Sequence, residues 1–253
     1  MKSLVVIVLL SVSVLSAPVF AQNTRVNQVI THPKKVIGPN NMRSVSADMT
    51  NIPFQLRNLA ESVGLMSMGC TGTHLGNGLV ISAGHCFDAK QVAQYRNSCD
   101  GIKIYWGVRY GKQPSSVSNC RQVLIQELNS QRDYALFRVD NPPRTRMKIR
   151  LQGHPELGTR VTIFSHPFRD PLMWSGVCDL TRAINYGINV NMIHHRCDTN
   201  PGSSGAAIVD VNAMEIVGIH DGGIARGAAG ANYGTYIDMT LIPAVLQRLG
   251  FKQ

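Results

Sequence analysis

Three side chains of the types used in acyl transfer stand in short, distinctive surroundings. His85 closes the segment Ile81-Ser82-Ala83-Gly84-His85-Cys86, where an apolar run meets a glycine turn. Asp133 directly precedes the apolar run Tyr134-Ala135-Leu136-Phe137. Ser204 lies in Asp198-Thr199-Asn200-Pro201-Gly202-Ser203-Ser204-Gly205-Ala206-Ala207. A serine hydroxyl is a weak nucleophile until a neighbouring base takes its proton, and an imidazole within hydrogen-bond reach is such a base. A carboxylate on the far side of the ring fixes the tautomer and stabilises the imidazolium. Gly202 and Gly205 allow a tight turn around Ser204 in which the N–H groups of Gly202 and Ser204 converge as an oxyanion hole. Each segment alone fits a plainer reading: a surface histidine, a local turn bond from an aspartate at a strand start, a Ser/Gly loop. Their order and their gaps of 48 and 71 residues are what make them a constellation. The order His, Asp, Ser is that of chymotrypsin and differs from that of subtilisin and of the α/β-hydrolases, and the string around Ser204 is not a Gly-x-Ser-x-Gly elbow.

Those residues need rigid supports. Most of the chain reads as short runs rich in β-branched residues, bounded by Gly, Pro, Asn or Asp: 79–81, 102–110, 134–139, 161–164, 190–193, 206–209 and 216–219. Such runs argue for antiparallel strands in a sandwich or barrel. Helical spacing is clear only at the end, where Leu241, Ile242, Val245, Leu246 and Leu249 share one face and Gly250 stops the helix. The expected fold is all-β with a C-terminal helix, and the gaps within the constellation suit two successive barrels with the site between them.

The 253-residue chain begins with Lys2 and an apolar run over 4–15, followed by Val19-Phe20-Ala21. This predicts a secretory signal peptide over 1–21, cleaved after Ala21, because the run is too short for a membrane anchor. Residues 22–35 are polar and read as a pro-segment ahead of a single catalytic region over 36–253. No later stretch is apolar enough to span a bilayer, so the mature chain is expected free of the membrane, in the extracellular space or the periplasm. Six cysteines in an exported chain imply three disulfides, with 15 possible connectivities. Cys70–Cys86 would close the hairpin that ends at His85. Cys178–Cys197 would brace the Ser204 loop, and Cys99–Cys120 remains by elimination. No Cys-x-x-Cys pair suggests zinc, and His194 and His195 read as strand and loop residues. The formal charge is +10; of the 25 basic residues four fall in 1–35, leaving 21 against 15 acidic ones, or +6, for 36–253. The bases are scattered, with one loose cluster at 144–150, and no motif suggests nucleic-acid binding.

The stretches Val36-Ile37-Gly38, Cys70-Thr71-Gly72, Ser82-Ala83-Gly84-His85-Cys86, Asp133-Tyr134-Ala135-Leu136, Pro201-Gly202-Ser203-Ser204-Gly205 and Gly218-Ile219-His220-Asp221-Gly222-Gly223 together resemble the trypsin-like serine peptidases, within them the bacterial glutamyl endopeptidase branch. The resemblance implies two antiparallel six-stranded β-barrels (chymotrypsin-like), a secreted monomeric serine endopeptidase acting on proteins or peptides, and no cofactor or metal. It also implies that Thr199 and His220 line the primary specificity pocket. There they would hydrogen-bond a Glu or Asp carboxylate before the scissile bond, or His220 would merely shape the pocket wall. Trypsin has an aspartate directly before its nucleophile, which pairs with the new N-terminus on activation. Here that position is Ser203, so activation of the zymogen would use a different contact, after cleavage between Lys35 and Val36. A catalytically silent cationic binding protein on the same fold is the alternative function.

Overall fold

The computed structural model describes residues 36–37, 39–182, 192–224 and 231–253. All of these belong to one compact unit, Pro33–Gln253. The expected signal peptide, pro-segment and processing site lie outside the described residues, as do Gly38 and positions 190–191 of one expected strand.

The first half of the unit holds β1 (Arg43–Ser44), α1 (Arg57–Glu61), β2 (Val63–Met66), β3 (Thr71–Gly76), β4 (Leu79–Ser82), β5 (Gln94–Asn97), β6 (Lys103–Trp106), β7 (Ser116–Leu128) and β8 (Asp133–Val139). The second half holds β9 (Lys148–Ile149), β10 (Arg160–Ser165), β11 (Met173–Thr181), β12 (Met192–His195), β13 (Ala207–Asp210), β14 (Glu215–Ile224), β15 (Ala231–Tyr236) and α2 (Ile242–Arg248). Strands β7-β6-β2-β3-β4-β8 form a sheet that closes because β7 also pairs with β8. Strands β11-β10-β13-β14-β15-β12 close in the same way through β11 and β12. The molecule is thus two closed six-stranded antiparallel barrels. β5 is added to the first barrel, while β1 and β9 are added to the second.

Closure of the first barrel depends on β7, whose 13 residues reach β5, β6 and β8 in turn. Two register shifts against β8, between Cys120 and Gln122 and between Val123 and Ile125, bend it around the corner. Met66, Val80, Ile104, Trp106, Val123 and Phe137 pack into one buried cluster in this barrel. Val161, Ile163, Ile193, Ile208 and Val217 do the same in the second. A third cluster joins Ile81, Ile125 and Leu136 of the first barrel to Val209, Ile216 and Ile219 of the second, with Ile242 and Leu246 of α2. This shared core fixes one barrel against the other, and with them the residues each contributes to the site. At ~25 cal/mol per Å² of apolar surface, burial of each such side chain contributes roughly 1.5–3 kcal/mol.

The expected strands are present with shifted ends. The 102–110 run ends at Trp106 because Gly107 adopts φ +68°. The 216–219 run belongs to a ten-residue strand, β14. The C-terminal helix spans Ile242–Arg248, with Pro243 in its first turn and Gly250 at φ +64° beyond its end.

Candidate active site

His85 is placed by a close approach that only glycine permits. After β4 the chain turns through a short 3-10 segment, Gly84–Phe87. A Cβ on Gly84 would stand 2.3 Å from the Glu127 carbonyl oxygen and 2.9 Å from that of Tyr134. The turn therefore rests directly on β7 and β8, and β8 begins at Asp133. Asp133 Oδ2 accepts from His85 Nδ1 at 2.5 Å, and Oδ1 accepts the His85 backbone N–H at 2.9 Å. With Nδ1 protonated toward a carboxylate, Nε2 is left as the basic nitrogen. The Cys70–Cys86 disulfide, Cα to Cα 6.3 Å, ties this turn to the start of β3. Asp133 is 7% exposed, so its charge is shielded from water but doubly hydrogen-bonded.

Ser204 comes from the other barrel. Its loop docks on the first barrel through the Thr71 N–H, which donates to the Ser204 carbonyl at 2.9 Å, and the Thr71 hydroxyl, which donates to the Gly202 carbonyl at 2.9 Å. A Cβ on Gly205 would lie 2.1 Å from Ser82 Oγ, 2.4 Å from the Thr71 carbonyl oxygen and 2.8 Å from the Ala83 nitrogen. The loop thus abuts the chain two residues before His85. The Ser204 hydroxyl here donates to the Asp221 carbonyl at 3.4 Å rather than to the imidazole; catalytic hydrogen bonds in free enzymes are commonly loose and tighten with substrate. Gly202 has φ +102° and Gly205 φ +85°. Among the described residues, neither the Gly202 nor the Ser204 N–H donates to a protein acceptor. Ser203 is buried and shares a 2.9 Å hydrogen bond with Ser165 Oγ.

The two expected pocket residues are both fully buried, Thr199 on the segment before the Ser204 loop and His220 on β14. The Gly205 N–H donates to the His220 carbonyl and the His220 N–H to the Ala206 carbonyl, each at 2.8 Å, so β14 is locked to the Ser204 turn. Thr199 Oγ1 has no hydrogen-bond partner among the described residues. His220 Nδ1 faces His195 Nε2 at 3.1 Å. Burial, with His194 alongside, pushes the His195 pKa down to about 3, so this ring stays neutral.

Cys178–Cys197 and Cys99–Cys120 form the other two bridges, with Cα separations of 5.0 and 5.7 Å. The first joins β11 to the segment leading into the Ser204 loop, the second β7 to the turn before β6. Because Cys70, Cys86, Cys178 and Cys197 are all oxidised, the groupings of His85 and of His195 with nearby cysteines offer no thiolate for a metal.

Two supporting residues carried no recognisable local signal. Thr235 on β15 accepts the Asp133 N–H at 2.8 Å and donates to Asp221 Oδ2 at 2.8 Å. The carboxylate of Asp221 and the backbone of Asp133 are thereby fixed across the barrel interface. Sequence reasoning could have reached Asp221 only through its place beside His220; Thr235 becomes visible only when β15 is laid against β8.

The profile of a trypsin-like peptidase domain matches residues 70–219. No curated protein matches the chain. The structure of a Glu endopeptidase in complex with MPD aligns over 85% of this chain and 97% of its own, with a TM-score of 0.60 and 21% identity. An inactive serine-to-alanine mutant from Mycobacterium tuberculosis aligns over 82% and 95%, with a TM-score of 0.55 and 13% identity. These likenesses are of fold, and the barrels and their closure agree with them.

Proposed function

Since the chain belongs to the trypsin-like peptidase family and is a serine endopeptidase, we propose that Ser204, His85 and Asp133 are its catalytic triad. The observation that carries the assignment is the double contact of Asp133 with His85, through Nδ1 and the backbone N–H, beside the docked Ser204 loop. His85 Nε2 takes the proton as Ser204 Oγ attacks the peptide carbonyl. The Gly202 and Ser204 N–H groups receive the developing oxyanion. His85 then gives its proton to the leaving amine, and water, deprotonated by the same ring, hydrolyses the acyl-enzyme. Every step uses groups of this chain and a water molecule. Ser204→Ala should abolish both peptide hydrolysis and labelling by a fluorophosphonate; a labelled Ser204→Ala protein would sink the assignment.

The specificity we infer is for Glu or Asp before the scissile bond. A fully buried Thr199 hydroxyl with no partner among the described residues is a donor available to an acceptor. A neutral His195 behind His220 can accept its Nδ1–H, which would orient the His220 ring in the pocket wall. Matched peptides ending in Glu, Ala and Arg test this: cleavage after Arg equal to or faster than after Glu refutes it.

The maturation we infer is export on a signal peptide over 1–21, then loss of 22–35, leaving 36–253 as the secreted enzyme. Three disulfides suit an oxidising compartment. Asp198, 2% exposed, accepts the Ile37 and Asn41 N–H groups at 2.8 and 2.7 Å, which anchors the start of that region close to Thr199. N-terminal sequencing of the active secreted form should read Val36-Ile37; an active form starting at Gln22 would refute the second cut.

A further inference from the structure

A second polar cavity lies in the first-barrel half of the chain and shares no residue with the triad or the pocket. It encloses about 390 Å³ between the end of α1, the turn after β6, the start of β7 and the connection that leads from β8 to β9. Its charged lining residues are Glu61, Arg109, Lys112 and Arg144, with Ser116 and Thr145 among the hydroxyls. Arg109 is 3% exposed, yet its guanidinium is poorly served. Nη1 lies 3.7 Å from Glu61 Oε1, beyond hydrogen-bond length, and donates to the thioether of Met49 at 3.3 Å. Nε has no partner among the described residues, and neither does the buried hydroxyl of Thr145. A buried guanidinium is tolerated only when paired and hydrogen-bonded, so the single long contact with a half-exposed Glu61 leaves its field largely uncompensated. That field enters the cavity through a low-dielectric wall, where it is weakly screened. Lys112 and Arg144, both exposed, add two mobile cations at the mouth. Three positive groups against one negative give the cavity a net positive charge.

We propose that this cavity binds a tetrahedral oxyanion, the phosphate or sulfate group of a small ester. Lys112 and Arg144, with the Ser116 hydroxyl beside them and the buried Arg109 charge behind them, offer more donors than the two oxygens of a carboxylate can use, whereas phosphate and sulfate have three or four acceptor oxygens. None of its lining residues belongs to the proposed triad or specificity pocket.

The test uses the full secreted protein carrying Ser204→Ala, which prevents self-digestion, and thermal unfolding in sodium sulfate with sodium chloride holding ionic strength constant. Sulfate should raise Tm along a saturating curve. The double variant Lys112→Ala/Arg144→Ala keeps the fold, because both side chains are exposed, and should need at least about tenfold more sulfate for the same shift. In the active background the double variant should hydrolyse peptides normally. Glucose 6-sulfate and glucose 6-phosphate distinguish the two sources, and binding of either supports the assignment. It is overturned by a linear, unsaturating rise shared by both proteins, which is the general salting effect of sulfate. Acetate acting as well as sulfate, or failure of both esters to bind, also overturns it.

Discussion

Replacing Asp133 with asparagine should leave a folded protein with almost no turnover, and the reason lies in how both carboxylate oxygens are used. Oδ1 accepts the His85 backbone N–H at 2.9 Å and Oδ2 accepts Nδ1 at 2.5 Å. An asparagine has one acceptor and one donor, so it can serve only one of these. If its oxygen faces the backbone N–H, its NH2 faces the ring. Nδ1 must then accept, the proton moves to Nε2, and the general base toward Ser204 is lost. If its oxygen faces the ring, two N–H donors oppose each other in a site only 7% exposed, at a cost of about 1–3 kcal/mol. The first arrangement is the cheaper, so the wrong tautomer dominates. The expected fall in kcat is about 10³–10⁴-fold, or about 4–5.5 kcal/mol in the barrier. KM should change little, because Asp133 lies buried on the Nδ1 side of His85, away from Nε2. The assay is steady-state hydrolysis of the best peptide from the specificity panel, with Tm measured alongside. A folded Asp133→Asn enzyme retaining more than about a tenth of wild-type kcat would refute the tautomer argument.

Gly205→Ala should cost far more than a change at another glycine of positive φ, because its Cβ would overlap Ser82 Oγ and the Thr71 carbonyl oxygen at 2.1 and 2.4 Å. Gly153→Ala, with φ +78° and open space around it, should lose only about 1 kcal/mol in urea unfolding, against at least about 3 kcal/mol for Gly205→Ala; equal losses would refute the docking role of Gly205. Acid should also destabilise the enzyme before its carboxylates titrate. Burial pushes the His166 pKa down to about 4 from an ordinary 6.5, so the unfolded chain takes up a proton in that window while the folded one does not. Stability from this group is complete above pH 6.5 and declines as pH falls toward 4, by about 3 kcal/mol in all, with His195 adding to the slope. Unfolding free energies that stay flat between pH 6.5 and 4.5 would contradict this.

The features that were legible in the sequence are those encoded by neighbours in the chain. Gly84 beside His85, Asp133 at the head of an apolar run and the glycines around Ser204 all mark local backbone geometry, and local geometry is what short motifs record. The same holds for β4, β8 and β10, whose apolar runs coincide with strands inside barrels. β7 was not apparent because Ser116, Ser118, Asn119, Arg121 and Gln122 interrupt its apolar pattern. Its strand character comes from three partners acquired only on folding. β15, with sequence Ala-Asn-Tyr-Gly-Thr-Tyr, lacks a continuous apolar run, and its pairing with both β12 and β14 fixes it as a strand. Thr235 and Arg109 were hidden for the same reason: their meaning depends on Asp133 and Glu61, which are distant in sequence.

The departure from trypsin at Ser203 has a physical counterpart elsewhere in the loop. A carboxylate at this fully buried position would face Ser165 Oγ and, without a cation, would bear the desolvation cost alone. The serine hydroxyl instead completes a neutral pair. The buried acid stands six residues before Ser204, at Asp198, and its two oxygens are taken by the amides of Ile37 and Asn41. Those contacts span 161 and 157 residues, so they form only when the start of the region is laid against the loop. Thr199 follows Asp198 directly. The placement of Thr199 is therefore tied to the N-terminal segment through Asp198, a route that bypasses the residue beside Ser204. Backbone amides rather than a terminal amine already satisfy this carboxylate, so the contact does not require a free N-terminus at Val36.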